Sequence, residues 1–496
     1  MINIEKNKKI ISLFFICLAT SLFTIDMGVI AISLEEIGSN FSTDKNVTSW
    51  IITVFSITSA IGILSLGFLT KIFGRKKIYT TGVLGFSLFS MLCGLSQTFE
   101  QMLVYRCFQG FFGAGLVALS QAFVLDIFSL KSRSKALSAW TFGLLAGPVI
   151  GPLLGGMIIE FFNWRFIFFI NLPFGLLAFL GLAFFLTEDK KKIFKKINYL
   201  AFIFLCTAAA ALQIFLDRGE LMDWFNSHLI IFLFYLFLLS LLLFIMYNNF
   251  SQTTFFPLEL FRDQHFIGGL IFAFLFGFIL IPPFLLLPIY LSEIQSFPIN
   301  LIGFILSISG LGGMIGTIFT SKIILYLGNI KTMLVGLLLF FISNYHVTTW
   351  SIDITTIEII FNSFYRGISI SVYYVALANI TYKTLPEALR TDGASLFQFL
   401  RTIGTGVSVA VFITLFNRYS IIHYEDTRNS IDYSNLGLFN FMSMEETRQN
   451  NFSILYNMLE MNSIMQSIIT DFFLLSISPI IFLPFLILFY EKPSKV

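Results

Sequence analysis

From Ala136 to Ile159 the chain reads ALSAWTFGLLAGPVIGPLLGGMII, a stretch without a single charge. As helix, such a stretch rises about 36 Å, enough to cross roughly 30 Å of hydrocarbon. Gly143, Gly147, Gly151 and Gly155 recur every fourth residue in it, so they share one helix face. A face without side chains lets a second helix come very close. Ordinary tight packing could use the same pattern, but four repeats in register are a strong signal. Gly156 extends the run, and Pro148 and Pro152 remove backbone donors, which kinks or softens the helix.

Runs of similar character fill most of the chain. They lie near 9–32, 47–69, 77–97, 101–125, 136–159, 164–187, 198–217, 228–248, 266–291, 300–324, 330–350, 356–382, 393–417 and 468–490. Of 496 residues 56% are hydrophobic and only 12% charged, about half the charge a soluble domain carries. Lipid offers the backbone no hydrogen bonds, so spans must be helices or a closed barrel. Barrel strands alternate polar and apolar residues, and these runs do not. The expectation is an all-α membrane protein of fourteen transmembrane helices.

Lys and Arg set the orientation. Twenty-two of the 31 fall in one set of loops and tails, including Lys71, Arg75, Lys76 and the run Lys190–Lys196. Six fall in the alternating loops, and Arg106, Arg366 and Arg401 lie inside spans. Both termini are therefore expected in the cytoplasm. The order reads as six spans (1–189), an extra pair (190–265) and six more (266–496). The loop Asn417–Ser467, on the outer face, is too long for a mere connector. Its stretch Met442–Met461 could form an amphipathic helix. Docking a periplasmic partner and a mobile insertion are both open readings of it.

A charge within the bilayer calls for an explanation. Asp26 is the one carboxylate placed deep in a span by these boundaries. It sits about six residues from the outer end of the first span, and Arg106 about five from the outer end of the fourth. Both then lie roughly 8–9 Å below the outer surface. The two can pair, and a cycle that alternates their surroundings would make Asp26 a proton carrier. A static ion pair between two helices is the alternative. Gln109, Gln121 and Arg366 are candidates for a substrate cavity, the two glutamines equally for bridging helices. Tyr105-Arg106 and Tyr365-Arg366 sit at similar depths in mate spans, a weak sign of internal duplication. Gly67 and Gly74 frame the basic loop between the second and third spans, and Gly74 suits a turn with positive φ.

Cys17, Cys93, Cys107 and Cys206 lie singly in apolar runs, with no metal-ligand spacing. No catalytic constellation and no phosphate loop is present. The net charge of +3 has no long basic block, so nucleic acid is not an expected partner.

These residues together resemble the fourteen-span drug:proton antiporters of the major facilitator superfamily, the EmrB/QacA group, nearest its EmrB branch. Gly67–Lys77 resembles the superfamily's loop signature, except that Lys71 stands where an acid is usual. That departure weakens the loop's usual acid-to-helix gating contact. Arg106, Gln109 and Gly110 resemble the fourth-span motif linked to proton coupling. Gly143–Gly156 resembles the antiporter motif of exporters, and Asp26 matches an acidic first-span position. Leu212–Gly219 with Asp223, Trp224 and Phe225 is similar to the hairpin between the two extra spans. The resemblance implies an exporter of small amphipathic compounds in a bacterial inner membrane. It would be driven by the proton motive force without a cofactor. It also implies a periplasmic adaptor and an outer-membrane channel as partners. A dedicated exporter of one metabolite, such as a siderophore or fatty acid, and a non-transporting sensor or scaffold are the rival readings.

Overall fold

The computed structural model describes residues 2–187, 198–250, 255–429 and 448–490. The run Lys190–Lys196 and the tail lysines Lys492 and Lys495 lie outside the described residues. Helix dominates, and no strand occurs among the described residues. The first bundle comprises α1 (Ile2–Phe41), α2 (Trp50–Phe73), α3 (Arg75–Gly94), α4 (Phe99–Gly113), α5 (Gly115–Ile127), α6 (Leu130–Leu144), α7 (Ala146–Phe161) and α8 (Asn171–Phe185). Next come α9 (Tyr199–Arg218) and α10 (His228–Phe250). The second bundle comprises α11 (Gln264–Leu280), α12 (Ile299–Val347), α13 (Thr356–Thr381), α14 (Arg390–Asn429) and α15 (Arg448–Ile477). A 3-10 stretch, Ser478–Phe489, closes the described chain.

Local chemistry sets these boundaries. Thr98, Asn198, Asp263 and Thr355 cap α4, α9, α11 and α13 through side-chain oxygens that accept backbone N–H groups. The α6–α7 interruption falls at Leu145, three residues before Pro148, where the missing donor loosens the preceding turn. Gly74 turns α2 into α3 at φ 90°, a conformation that side-chain-bearing residues rarely adopt. Gly328 does the same inside α12, at φ 77°, so that helix is two membrane-length pieces.

Among the described residues, eleven helical stretches are long and apolar enough to cross a bilayer. Two further helices, α3 and α13, have 20 and 26 residues. Within the first bundle α1 packs on α5, α6, α7 and α8, and α4 on α2 and α3. In the second, α12 packs on α13 and α15, and α14 on α11 and α15. The bundles meet where α12 and α13 touch α6, α12 touches α7, and α14 touches α2 and α5. The extra pair leans on both, since α9 touches α2 and α14.

The loop expected at Asn417–Ser467 needs correction. Its described parts are helix: α14 continues to Asn429, and α15 already runs from Arg448. Residues 442–447 of the expected amphipathic helix lie outside the described residues. The rest belongs to α15 rather than to a separate element. A formed helix extends at one hydrogen bond per residue, and contacts between the two extensions reward it. Asn462 Nδ2 donates to Thr427 Oγ1 at 3.3 Å, and Tyr424 meets Tyr456 edge-on.

Candidate functional site

Side chains from α4 and α8 converge on Asp26 of α1. Its carboxyl is buried at 1% exposure, while Arg106 and Gln109 are fully buried. Arg106 Nη1 donates to Oδ2 at 2.7 Å. Gln109 Nε2 and Asn171 Nδ2 donate to Oδ1 at 3.0 and 2.9 Å. Three donors and no acceptor face the group, the pattern that fits a carboxylate rather than a neutral acid. Arg106 Nη1 also donates to Gln109 Oε1 at 2.8 Å, and Asn171 Nδ2 to Ser90 Oγ at 2.9 Å. The guanidinium lies 4.1 Å from the Phe55 ring centroid and 5.9 Å from that of Phe168. Among the described residues Arg106 Nη2 has no partner. The spacing Arg106–Gln109 is one helical turn, which is why α4 can present both groups to one acid. Asn171 is drawn in because α8 packs on α1 and α3.

This cluster is enclosed within the first bundle. A small void between the bundles is lined instead by Leu145, Leu280, Ser309, Gly313 and Gly367. Gln121 bridges the bundles: its Oε1 accepts from Gln398 Nε2 at 3.1 Å and from the Tyr382 hydroxyl at 3.4 Å. Arg366 is 1% exposed in the second bundle. Its Nη2 donates to Ser363 Oγ at 3.3 Å, and Nη1 has no partner. Gln109 therefore belongs to the Asp26 cluster, Gln121 to the inter-bundle seam and Arg366 to neither.

The glycine face of α6–α7 lies along α1. A Cβ at Gly147 would collide with the Thr24 carbonyl. One at Gly143 would come within 3.0 Å of the Cys17 carbonyl, and one at Gly151 within 3.0 Å of Gly28. Gly155 faces Val29, whereas Gly156 meets nothing within 4 Å and stands off the seam. The opposite side of α7 touches the second bundle, where Val149 packs on Gly310. The same helix thus presses on its own bundle and on the other.

At the basic end, the loop signature meets the first turn of α14. Lys71 Nζ donates to Asp392 Oδ2 at 2.8 Å and Oδ1 at 3.1 Å. Arg75 Nη1 reaches Asp126 at 2.5 Å and Thr391 Oγ1 at 3.3 Å. Arg390 Nη1 reaches the other Asp126 oxygen at 2.6 Å. The cation thus stands in the last turn of α2 and the acid in the first turn of α14, so the pair joins the two bundles. Lys76 stands in the first turn of α3. Above this layer Trp140 stacks on Tyr374 at 6.1 Å, its indole N–H shared by Thr20 and Ser120.

Sequence reasoning missed four residues. Asp126 and Asp392 flank span ends, and Asp392 stands two residues from Arg390, a juxtaposition that was an available signal. Arg218, assigned to a loop, is 3% exposed and donates to the Asn46 carbonyl at 2.9 Å, over the Trp50 ring. Asp471 corrects the reading of Asp26 as the one deeply placed carboxylate. It is fully buried, on a helix that begins well before the expected boundary and packs on α12 and α14.

With this geometry established, kinship is direct. The chain belongs to the major facilitator superfamily, whose family model matches residues 16–409. It is a multi-pass membrane transporter of that superfamily, and its relatives include drug and fatty-acid resistance exporters. It is 29% identical to fatty acid resistance protein FarB of Neisseria gonorrhoeae, over 82% of this chain and 80% of that protein. It is 25% identical to multidrug export protein EmrB of Haemophilus influenzae, over 84% of this chain and 82% of that protein. Its fold is similar to that of the proton:xylose symporter XylE, with TM-score 0.61 at 12% identity over 97% of each chain.

Proposed function

We propose that this chain exports amphipathic organic compounds in exchange for protons, by alternating access of its two bundles. The observation that carries the reading is the Asp26 carboxylate, held by Arg106, Gln109 and Asn171 inside a bilayer-embedded bundle. A buried carboxylate persists only while such donors surround it. Movement of α4 against α1 as the bundles rock would withdraw Arg106, and the acid would then take a proton. One proton crossing 100 mV supplies about 2.3 kcal/mol, which sustains a substrate gradient of about 40-fold.

The reading extends to architecture and place. Taking α3 and α13 as spans and dividing α12 at Gly328 gives fourteen, arranged 6+2+6, with both termini in the cytoplasm. The Lys71–Asp392 end would be the closed cytoplasmic side of a bacterial inner membrane. The projecting ends of α14 and α15 would then face the periplasm, where an adaptor serving an outer-membrane channel could dock. The likeness to FarB favours a second reading, a dedicated exporter of fatty acids. Resistance confined to long-chain fatty acids, with none to cationic drugs or dyes, would select it.

The test is dye efflux from energised cells carrying wild type or Asp26→Asn. Uphill efflux should vanish while the protein still folds and still passes dye downhill. Uphill efflux that survives in the variant would falsify the carrier role and leave a static ion pair.

A further inference from the structure

The second bundle holds a buried acid that the first-bundle mechanism does not use. Asp471 of α15 is fully buried, and among the described residues neither of its carboxyl oxygens has a hydrogen-bond partner. A carboxylate so placed would lack the donors that Asp26 has, at a cost of several kcal/mol. The geometry is that of an acid holding its proton.

A polar seam leads to it. Ser463, Ser467 and Asp471 follow at four-residue spacing, so they lie on one face of α15. Both serines are buried. Ser420, His423 and Thr427 lie on one face of α14 by the same rule. The two faces meet: Ser420 Oγ donates to Ser467 Oγ at 3.2 Å, and Asn462 Nδ2 to Thr427 Oγ1 at 3.3 Å. Between those bridges His423 Nε2 is buried without a partner, its ring stacked on Tyr419 at 5.9 Å. The seam begins on the helical extensions and ends at the acid.

The elements packed on α15 are α12, α14, the helix Pro282–Ile289, the π-turn Tyr290–Ile294 and the terminal stretch. Their titratable and charged groups toward that end are Arg418, Tyr419, His423, Tyr424, Glu425, Asp426 and Arg428 of α14, Tyr345 and His346 of α12, and Tyr290 and Glu293; Glu425, Asp426 and Arg428 are exposed. Arg418 and Glu293 are exposed. The Tyr290 hydroxyl donates to the Ser351 carbonyl, and His346 Nδ1 bonds Asn362. Among the described residues no cation pairs with Asp471. Arg366 of α13 reaches α15 one residue further on, 5.8 Å from the Phe472 ring.

We propose that Asp471 is a second proton-binding carboxyl, supplied from the outer face along the α14–α15 seam. Its use in transport rests on the exporter reading above; its titration does not. A proton from outer water adds to an Asp471 oxygen, and its release leaves a carboxylate. Arg366, with Nη1 unpartnered, is a cation that such a carboxylate could attract.

Infrared difference spectra of the reconstituted protein, taken as the outer pH is varied, read the acid without transport. Wild type and Asp26→Asn should show a titrating protonated-carboxyl band. In the Asp26→Asn background, adding Asp471→Asn should remove the band, and adding Asp471→Glu should keep it at a shifted position. Ser467→Ala and His423→Gln should retain the band but slow its deuterium exchange several-fold. In energised vesicles, Asp471→Asn should lower the sustained substrate gradient by about 40-fold per 100 mV, the contribution of one proton. A band that survives in the Asp26→Asn, Asp471→Asn double variant, or exchange unaltered by both seam variants, would overturn the proposal. A band lost as expected from a protein whose vesicles show no proton coupling would keep the site and sink the exporter reading.

Discussion

Arg106 of α4 and Arg366 of α13 each lie against an aromatic ring of its own bundle, yet their surroundings differ. Arg106 is locked to Asp26 and Gln109 by bonds of 2.7 and 2.8 Å. Arg366 has only a 3.3 Å bond to Ser363. The buried acids differ likewise: Asp26 accepts three donors, and Asp471 accepts none. Two bundles can each bury an arginine and an acid without giving them the same partners. In the first bundle charge is neutralised in place. In the second it is left to respond to whatever approaches.

Four measurements would break or sharpen that contrast. The largest effect is expected for Asp26→Asn, with total loss of uphill efflux and preserved helicity by circular dichroism. Next come the arginines, which should move stability in opposite directions. Arg106→Met strands a buried carboxylate and should cost about 3–5 kcal/mol, read as a lower melting temperature in detergent. Arg366→Met removes a buried charge that has no ionic partner, so its melting temperature should rise. If both variants lose stability equally, the contrast between the bundles fails.

The glycine seam gives a smaller effect with an internal control. Gly147→Ala drives a methyl into the Thr24 carbonyl and should cost about 1–3 kcal/mol, together with most transport. Gly156→Ala meets nothing and should be close to silent. The smallest effect is expected at the basic end. Lys71 is 38% exposed, so its pair with Asp392 is worth about 0.2–1 kcal/mol after solvent screening. Lys71→Asp or Asp392→Lys alone should shift the balance between open and closed states a few-fold, as read by accessibility of an engineered thiol. The double exchange should restore it, which would show that the polarity of this contact can be swapped.

Much of the molecule was legible in the residues alone. Apolar length dictates membrane helices because lipid leaves the backbone no other way to satisfy its donors. Matched depth in two spans brought Asp26 and Arg106 together, and four-residue spacing identified the α6–α7 seam. Gly74 was identifiable because a turn at positive φ has few other occupants. Such features depend on periodicity and local backbone preference, which a linear chain carries.

What only the tertiary structure decided depends on which surfaces meet. No spacing could say that α8 would bring Asn171 to Asp26, or that Lys71 would find Asp392 across the bundle boundary, 321 positions away. The burial of Asp471 depends on how far α14 and α15 run together. The worth of a charge in low dielectric is set by neighbours within a few ångströms, and those neighbours are chosen by packing rather than by order along the chain.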